Sequence, residues 1–258
     1  MVVARARRTT AGAPPLTAEP MRVHRALALA GVASRRAAEA MVAEGRVNVN
    51  GAPAVVGQLV GPDDALEVDG QPVRGAEPMR AYLLHKARGV VSTASDPQGR
   101  PTVLDDLPDD VRLYPVGRLD IDTTGALIVT NDGEMAAKLM HPSSKAPKTY
   151  EVLMRGQVSA ATIRRLRHGV ELEDGVTLPA RVEAMDRQAP GGTWLVIELT
   201  EGRNRQIRRM GEAVGHRVLR LHRSHYAGIG VRKLAAGRWR PITRAEWRRL
   251  GEIAGLER

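Results

Sequence analysis

The chain has 258 residues, room for one small and one ordinary domain. Lys plus Arg number 39 against 29 Asp plus Glu, a net charge of +10 that calls for a polyanionic partner without separating RNA from DNA or anionic lipid. No cysteine is present, which excludes disulfides and thiolate zinc sites; the seven His are scattered, so no metal site is expected, and no apolar run reaches the roughly 18 residues of a membrane span. With no signal-peptide core behind Arg5, Arg7 and Arg8, the expectation is a cytoplasmic protein without a membrane partner.

Residues 1–19 are rich in Arg, Ala and Pro without apolar periodicity and read as a disordered basic tail. A helical pattern runs from Met21 to a stop at Gly31, and Ser34 caps a second helix over residues 35–44. Strand-like Arg46-Val-Asn-Val49 meets Asn50-Gly51, a strong hairpin signal, and Ala65-Leu-Glu-Val68 runs into Asp69-Gly70. Arg22-Val-His-Arg-Ala-Leu-Ala, Gly31-Val-Ala-Ser-Arg-Arg36 and Gly45-Arg-Val-Asn-Val-Asn-Gly51 together resemble the S4 RNA-binding domain, placed at residues 20–70. The resemblance implies a basic surface for RNA phosphates made by Arg22, Arg25, Arg35, Arg36 and Arg46. Taken alone, the Arg35-Arg36 pair would only solvate a helix face. Pro72, Gly75 and Pro78 mark a linker over residues 71–79.

A second domain is expected over residues 80–250. Tyr82-Leu-Leu84 opens it as a strand that passes into a basic turn at His85-Lys86, and Asp96-Pro-Gln-Gly-Arg-Pro101 is a loop carrying Arg100. The stretch from Tyr114 to Gly133 follows, a Pro/Gly-punctuated loop bearing Arg118, Asp120 and Asp122, then the apolar strand Ala126-Leu-Ile-Val-Thr130 and the turn Asn131-Asp-Gly133. Acids on a loop held against a rigid strand suit chemistry, but three other readings compete. The two Asp side chains can bond nearby backbone N–H groups as turn formers. A calcium loop begins the same way, yet Asn131 stands where its bidentate Glu must be. Asp120-Ile-Asp122-Thr-Thr124 also mimics an aspartyl-phosphatase signature, although Pro115-Val-Gly-Arg-Leu119 is a poor version of the strand that chemistry follows.

Downstream, Glu134 to Met140 reads as a short helix, Lys148-Thr-Tyr150 starts a strand through Met154, and Ser159 caps a helix over residues 160–168. Asp174-Gly175 is a hairpin turn, and Trp194 to Thr200 is a strand. Between Arg203 and Arg223 lie seven Arg against one acid, Glu212, and the planar guanidinium fork suits phosphate and carboxylate. Thr243-Arg-Ala-Glu246 is a capping box for a last helix through Leu250, with Trp247 expected to be buried.

Gly117-Arg-Leu-Asp120 with Asp122-Thr, Lys148-Thr-Tyr150 and Arg203-Asn-Arg-Gln-Ile-Arg208 occur in the order found in the pseudouridine synthases, and the chain resembles the S4-bearing branch that modifies ribosomal RNA. The resemblance implies an α+β catalytic domain on a largely antiparallel, mixed sheet flanked by helices. It makes Asp120 the catalytic residue, with Tyr150 beside the target uracil and Arg208 paired to Asp120. Lys86, Arg100, Arg118, Lys148, Arg203, Arg205 and Arg209 are the candidate RNA contacts of this domain. The implied reaction is isomerisation of uridine to pseudouridine, with no cofactor, in ribosomal RNA of the large subunit ahead of the small, by a monomer without an obligate protein partner. A catalytically idle ribosome-assembly factor is the alternative, and the phosphatase remains the outsider. The chain departs from the family at Ile121, Gly211 and Ala227, where bulky or aromatic residues are usual. With no Phe anywhere, lost buried volume at about 3–5 kcal/mol per site would weaken or repack the fold.

Overall fold

In the computed structural model, which describes residues 19–256, the first unit opens with strand β1 (Met21–Arg22), helix α1 (Val23–Leu29) and helix α2 (Arg35–Ala43). The expected tail at 1–19 lies outside the described residues but for Glu19. The first helix starts later than expected because Met21 and Arg22 pair antiparallel with β4 (Leu59–Val60). Ser34 Oγ accepts the Ala37 N–H at 3.1 Å, the N-cap expected of it. Strands β2 (Val47–Val49), β3 (Ala52–Pro53), β5 (Leu66–Val68) and β6 (Gln71–Pro72) form a sheet in the order β3-β2-β5-β6. Both hairpins turn on residues with positive φ, Asn50 at 53° and Gly51 at 80°, then Asp69 at 50° and Gly70 at 76°, so the backbone twist of the turns matches that of the strands. Val23, Leu27, Ala38, Val42, Val47 and Leu66 close a separate small core.

The boundary between units falls after Pro78. Within the stretch read as a linker, Gln71 and Pro72 form β6, and the Glu77 N–H donates to the Leu29 carbonyl. The second unit begins with β7 (Ala81–Lys86), β8 (Tyr114–Pro115) and β9 (Thr124–Thr130), then α3 (Gly133–Met140) and β10 (Lys148–Arg155). It continues through α4 (Ala160–His168), β11 (Arg181–Ala184), β12 (Gly192–Leu199), α5 (Gln206–Ala213) and β13 (Val218–Tyr226). The last elements are β14 (Ile229–Gly230), β15 (Trp239–Pro241) and α6 (Arg244–Ala254), the helix running past the expected end at residue 250. The main sheet has the order β11-β12-β10-β13-β9-β7-β15, antiparallel except where β13 runs parallel to β9. No helix among the described residues is long and apolar enough to cross a membrane.

Alternation along β7 sorts the core into layers. Leu83 joins Ala126, Ile128 and the inner faces of α3 and α6, whereas Tyr82 and Leu84 join Leu127, Val129, Leu107 and Val111 on the other side. A third cluster packs α4 and α5 on Val152, Leu195, Ile197 and Leu221. Strand β9, buried from Gly125 to Thr130, is apolar throughout because both of its faces are covered.

At two of the three departures no void opens. Ile121 is 44 % exposed and so fills no core site, and a Cβ on Gly211 would stand 2.6 Å from the His216 carbonyl oxygen and 3.1 Å from Val218. The α5–β13 connection occupies the space a large residue would need. Trp247, expected to be buried, packs on the α3/α6 core only partly covered.

Candidate active site

Where β13 pairs parallel with β9, the two backbones come very close. A Cβ on Gly125 would lie 2.1 Å from the Arg223 carbonyl oxygen, and Gly125 has φ 119°, so only glycine fits. The loop that enters β9 is thereby delivered to a fixed place. Ser92 grips it at Leu119, its Oγ donating to the Leu119 carbonyl at 2.8 Å and accepting the Leu119 N–H at 3.1 Å. The Gly89 N–H donates to the Ile121 carbonyl at 2.8 Å.

Beneath the loop lies Lys86, completely buried. Its ammonium donates to the carbonyls of Thr123 at 2.9 Å, Ala87 at 3.1 Å and Ile121 at 3.4 Å. Burial pulls its pKa from 10.5 down to about 8, while the charges of Asp122 and Asp120 oppose the shift. Lys86 is thus an internal tether of the acidic loop rather than the surface RNA contact expected of it. The signal was present in the strand itself, since the two-residue period places Lys86 on the inward face with Tyr82 and Leu84.

Above the loop, Arg118, Asp120, Thr123, Tyr150, Arg203, Asn204, Arg205, Leu199 and Leu221 line a cleft of about 320 Å³. Asp120 shares it with Tyr150, which packs at the seam between two core clusters. Two guanidinium groups approach the Asp120 carboxylate, Arg205 Nη1 at 3.6 Å and Arg208 Nε at 3.8 Å. The short contact of Arg208 goes elsewhere, Nη2 to Asp122 Oδ2 at 2.8 Å, so Arg208 is divided between the two acids instead of being paired to Asp120 alone. No backbone N–H among the described residues bonds to either Asp side chain, and the turn-former reading finds no contact; the Thr123 N–H donates to the Asp120 main-chain carbonyl.

A protein that holds a carboxylate between arginines in a cleft of this kind is matched by known families. Residues 80–213 match the RNA pseudouridylate synthase family, and residues 21–66 match the S4 domain. The chain belongs to the RNA pseudouridine synthase family. It is 44% identical over 239 residues to the ribosomal large subunit pseudouridine synthase B of Bacillus subtilis, covering 90% of this chain and 96% of that protein. It is also 44% identical to the protein of the same name from Pseudomonas aeruginosa, covering 92% of this chain and 63% of that longer protein. A crystal structure of a pseudouridylate synthase aligns with TM-score 0.64 and 27% identity over 89% of this chain and 99% of that one.

The other expected RNA contacts of this synthase divide into those exposed at the cleft and those committed elsewhere. Arg118 and Arg205 are exposed at the cleft. Arg209 grips both oxygens of Asp174 at 2.9 and 3.0 Å, holding that carboxyl down near about 2. Arg203 bonds the carbonyls of Gly175 and Val176 at 2.7 and 2.6 Å and pairs with Glu201. Both therefore brace the 174–176 turn, contrary to their expected use as RNA contacts. Lys148 donates to the Ala146 carbonyl at 2.9 Å and its burial lowers its pKa to about 8, while Arg100 is ion-paired to Asp96 outside the cleft. In the first unit Arg46 is forked onto Asp69 and Arg22 bonds the Gly57 carbonyl; Arg25, Arg35 and Arg36 are exposed. Sequence reasoning missed Arg223, only 3 % exposed, whose Nε donates to the Ala126 carbonyl at 2.7 Å and so ties β13 to β9 behind the site.

Proposed function

We propose that this chain converts a uridine of large-subunit ribosomal RNA to pseudouridine, with Asp120 as the catalytic residue. The observation that supports this above all is Asp120 in a cleft edged by Arg118, Arg203, Arg205 and Tyr150, where the other acid, Glu201, is already ion-paired with Arg203, in a chain whose relatives act on the large ribosomal subunit by name. Binding alone would place no carboxylate there, because it would repel phosphate. In the proposed reaction the N-glycosidic bond of uridine breaks, the base turns, a bond from C5 of the base to the ribose replaces it, and the proton lost from C5 is balanced by one gained at N1. Asp120 attacks the sugar or the base or takes a ribose proton, with the guanidinium groups of Arg205 and Arg208 beside its carboxylate. Tyr150 stacks on the uracil drawn from its helix, a contact of about 1–3 kcal/mol in single-strand recognition. Electrons are conserved within the nucleotide, so the reaction calls for no cofactor.

Exposed Arg118 and Arg205 contact the target strand in this reading, and Arg25, Arg35 and Arg36 of the S4 unit bind RNA phosphates elsewhere. The protein acts in the cytoplasm as a monomer. Pseudouridine mapping on unmodified large- and small-subunit ribosomal RNA, with the wild type and Asp120→Asn, tests the assignment. One new pseudouridine in large-subunit RNA, absent with the variant, is expected. Modification confined to small-subunit RNA refutes the substrate, and an active Asp120→Asn refutes the catalytic residue.

A further inference from the structure

Asp122 has no part in the reaction as described, yet it holds the tightest ion pair in the site. Arg208 Nη2 is 2.8 Å from Asp122 Oδ2, against 3.8 Å between Arg208 Nε and Asp120 Oδ2. The Arg208 side chain is only 11% exposed, and its Nε is buried without a hydrogen-bond partner, as is Asp122 Oδ1. A buried donor left unpaired beside a carboxylate is unstable in isolation, because a small rotation would convert the long contact into a hydrogen bond. Something must hold the guanidinium back. The group in contact with its other end is Asp122.

We infer that Asp122 is a positioning residue that anchors Arg208 by its terminal nitrogen and so keeps it from closing onto Asp120; this rests on the assignment of Asp120 as the catalytic residue. A guanidinium presents parallel N–H groups that match both oxygens of one carboxylate. Freed from Asp122, Arg208 would fork onto Asp120 and engage the lone pairs that must reach the nucleotide. Anchored, it supplies positive charge at 3.8 Å while leaving those lone pairs open. Lys86 supports the arrangement from below, since it bonds the carbonyls of Ile121 and Thr123, the two neighbours of Asp122, and fixes where the anchor stands.

The test compares Asp122→Ala with Asp122→Asn, the latter keeping an oxygen at the same position. Single-turnover pseudouridine formation on unmodified large-subunit ribosomal RNA and RNA affinity by filter binding are measured for both, with Asp120→Asn as reference. Asp122→Ala should slow the chemical step by roughly tenfold to a hundredfold, the scale on which a displacement of about 1 Å slows an enzyme, while affinity stays within about twofold. Asp122→Asn should recover most of the rate. A full rate in Asp122→Ala with Asp120→Asn inactive overturns the anchor and leaves Asp120 standing; an active Asp120→Asn overturns the assignment beneath it. A crystal structure of Asp122→Ala gives an answer independent of turnover. Arg208 should sit in a forked contact on Asp120, and an unmoved Arg208 overturns the inference.

Discussion

Replacing Lys86 with Met separates an internal tether from an RNA contact. The ammonium makes two good hydrogen bonds, to Thr123 at 2.9 Å and Ala87 at 3.1 Å, and a long one to Ile121 at 3.4 Å. Charged hydrogen bonds contribute about 1.5–3 kcal/mol each, so the two good ones sum to about 3–6 kcal/mol. Against them, the fall in pKa from 10.5 to about 8 corresponds to a cost of roughly 3 kcal/mol for keeping the charge buried. Met retains the stem packing and removes both contributions, leaving a net loss of about 0–3 kcal/mol. Urea unfolding should therefore show a modest drop in midpoint with an unchanged slope. Activity should suffer more, because the carbonyls on either side of Asp122 lose their common partner and the loop carrying both acids loosens. The expected signature is a fall in kcat of at least about tenfold with RNA affinity held within about twofold. Weakened RNA binding with kcat intact would refute the tether and restore Lys86 to the surface role read from sequence.

Three other outcomes follow from the same geometry. Gly125→Ala forces a Cβ to 2.1 Å from the Arg223 carbonyl at a backbone angle foreign to alanine, and should cost roughly 2–6 kcal/mol in urea unfolding, strain and overpacking together; a loss below about 1 kcal/mol would show that the strands separate freely. Lys86 and Lys148 are both drawn down to about 8 by burial, so between pH 8 and 10.5 the unfolded chain binds more protons than the native one, and stability from these groups rises across that window; in Lys86→Met the rise should shrink, measured as unfolding free energy at three pH values. Arg35→Ala with Arg36→Ala should weaken RNA binding and flatten its log–log salt slope by about 2 if each contacts a phosphate, with kcat at saturating RNA unchanged, whereas an unaltered slope would return both to a solvated helix face.

How far the sequence discloses this molecule depends on how local each cause is. Asn50-Gly51 and Asp69-Gly70 announce their turns because the required positive φ is a property of those residues alone. Ser34, Ser159 and Thr243 announce helix starts for the same reason, each side chain accepting the N–H of the third residue on. Helix α5 carries no such signal. It opens after Arg205, held at φ 47° without a side-chain cap, and its buried face amounts to Gln206, Ile207, Met210 and Gly211 amid arginines. Strand β13 is equally concealed, since its charged and histidine residues hide a strand that pairs with β10 and β9 in the middle of the sheet.

The site divides along the same line. The loop motif offers Asp120 and Asp122 as candidate acids, and the family resemblance singles out Asp120 and attaches Tyr150 and Arg208 to it. The allotment of cations to acids was beyond both, because it is decided by register. Arg208 belongs to a helix whose place is set by the following strand, and that strand is locked to β9 through Gly125. Only once β9 and β13 are in place does Arg208 stand nearer Asp122 than Asp120, Arg209 fall onto Asp174, and Arg205 remain at the mouth of the cleft. Arginines that look equivalent along the chain thus acquire distinct places: bracing a turn, dividing charge between two acids, or standing exposed at the cleft. Composition could count them, but the partner carboxylate, brought from a distant strand or loop, assigns each its task.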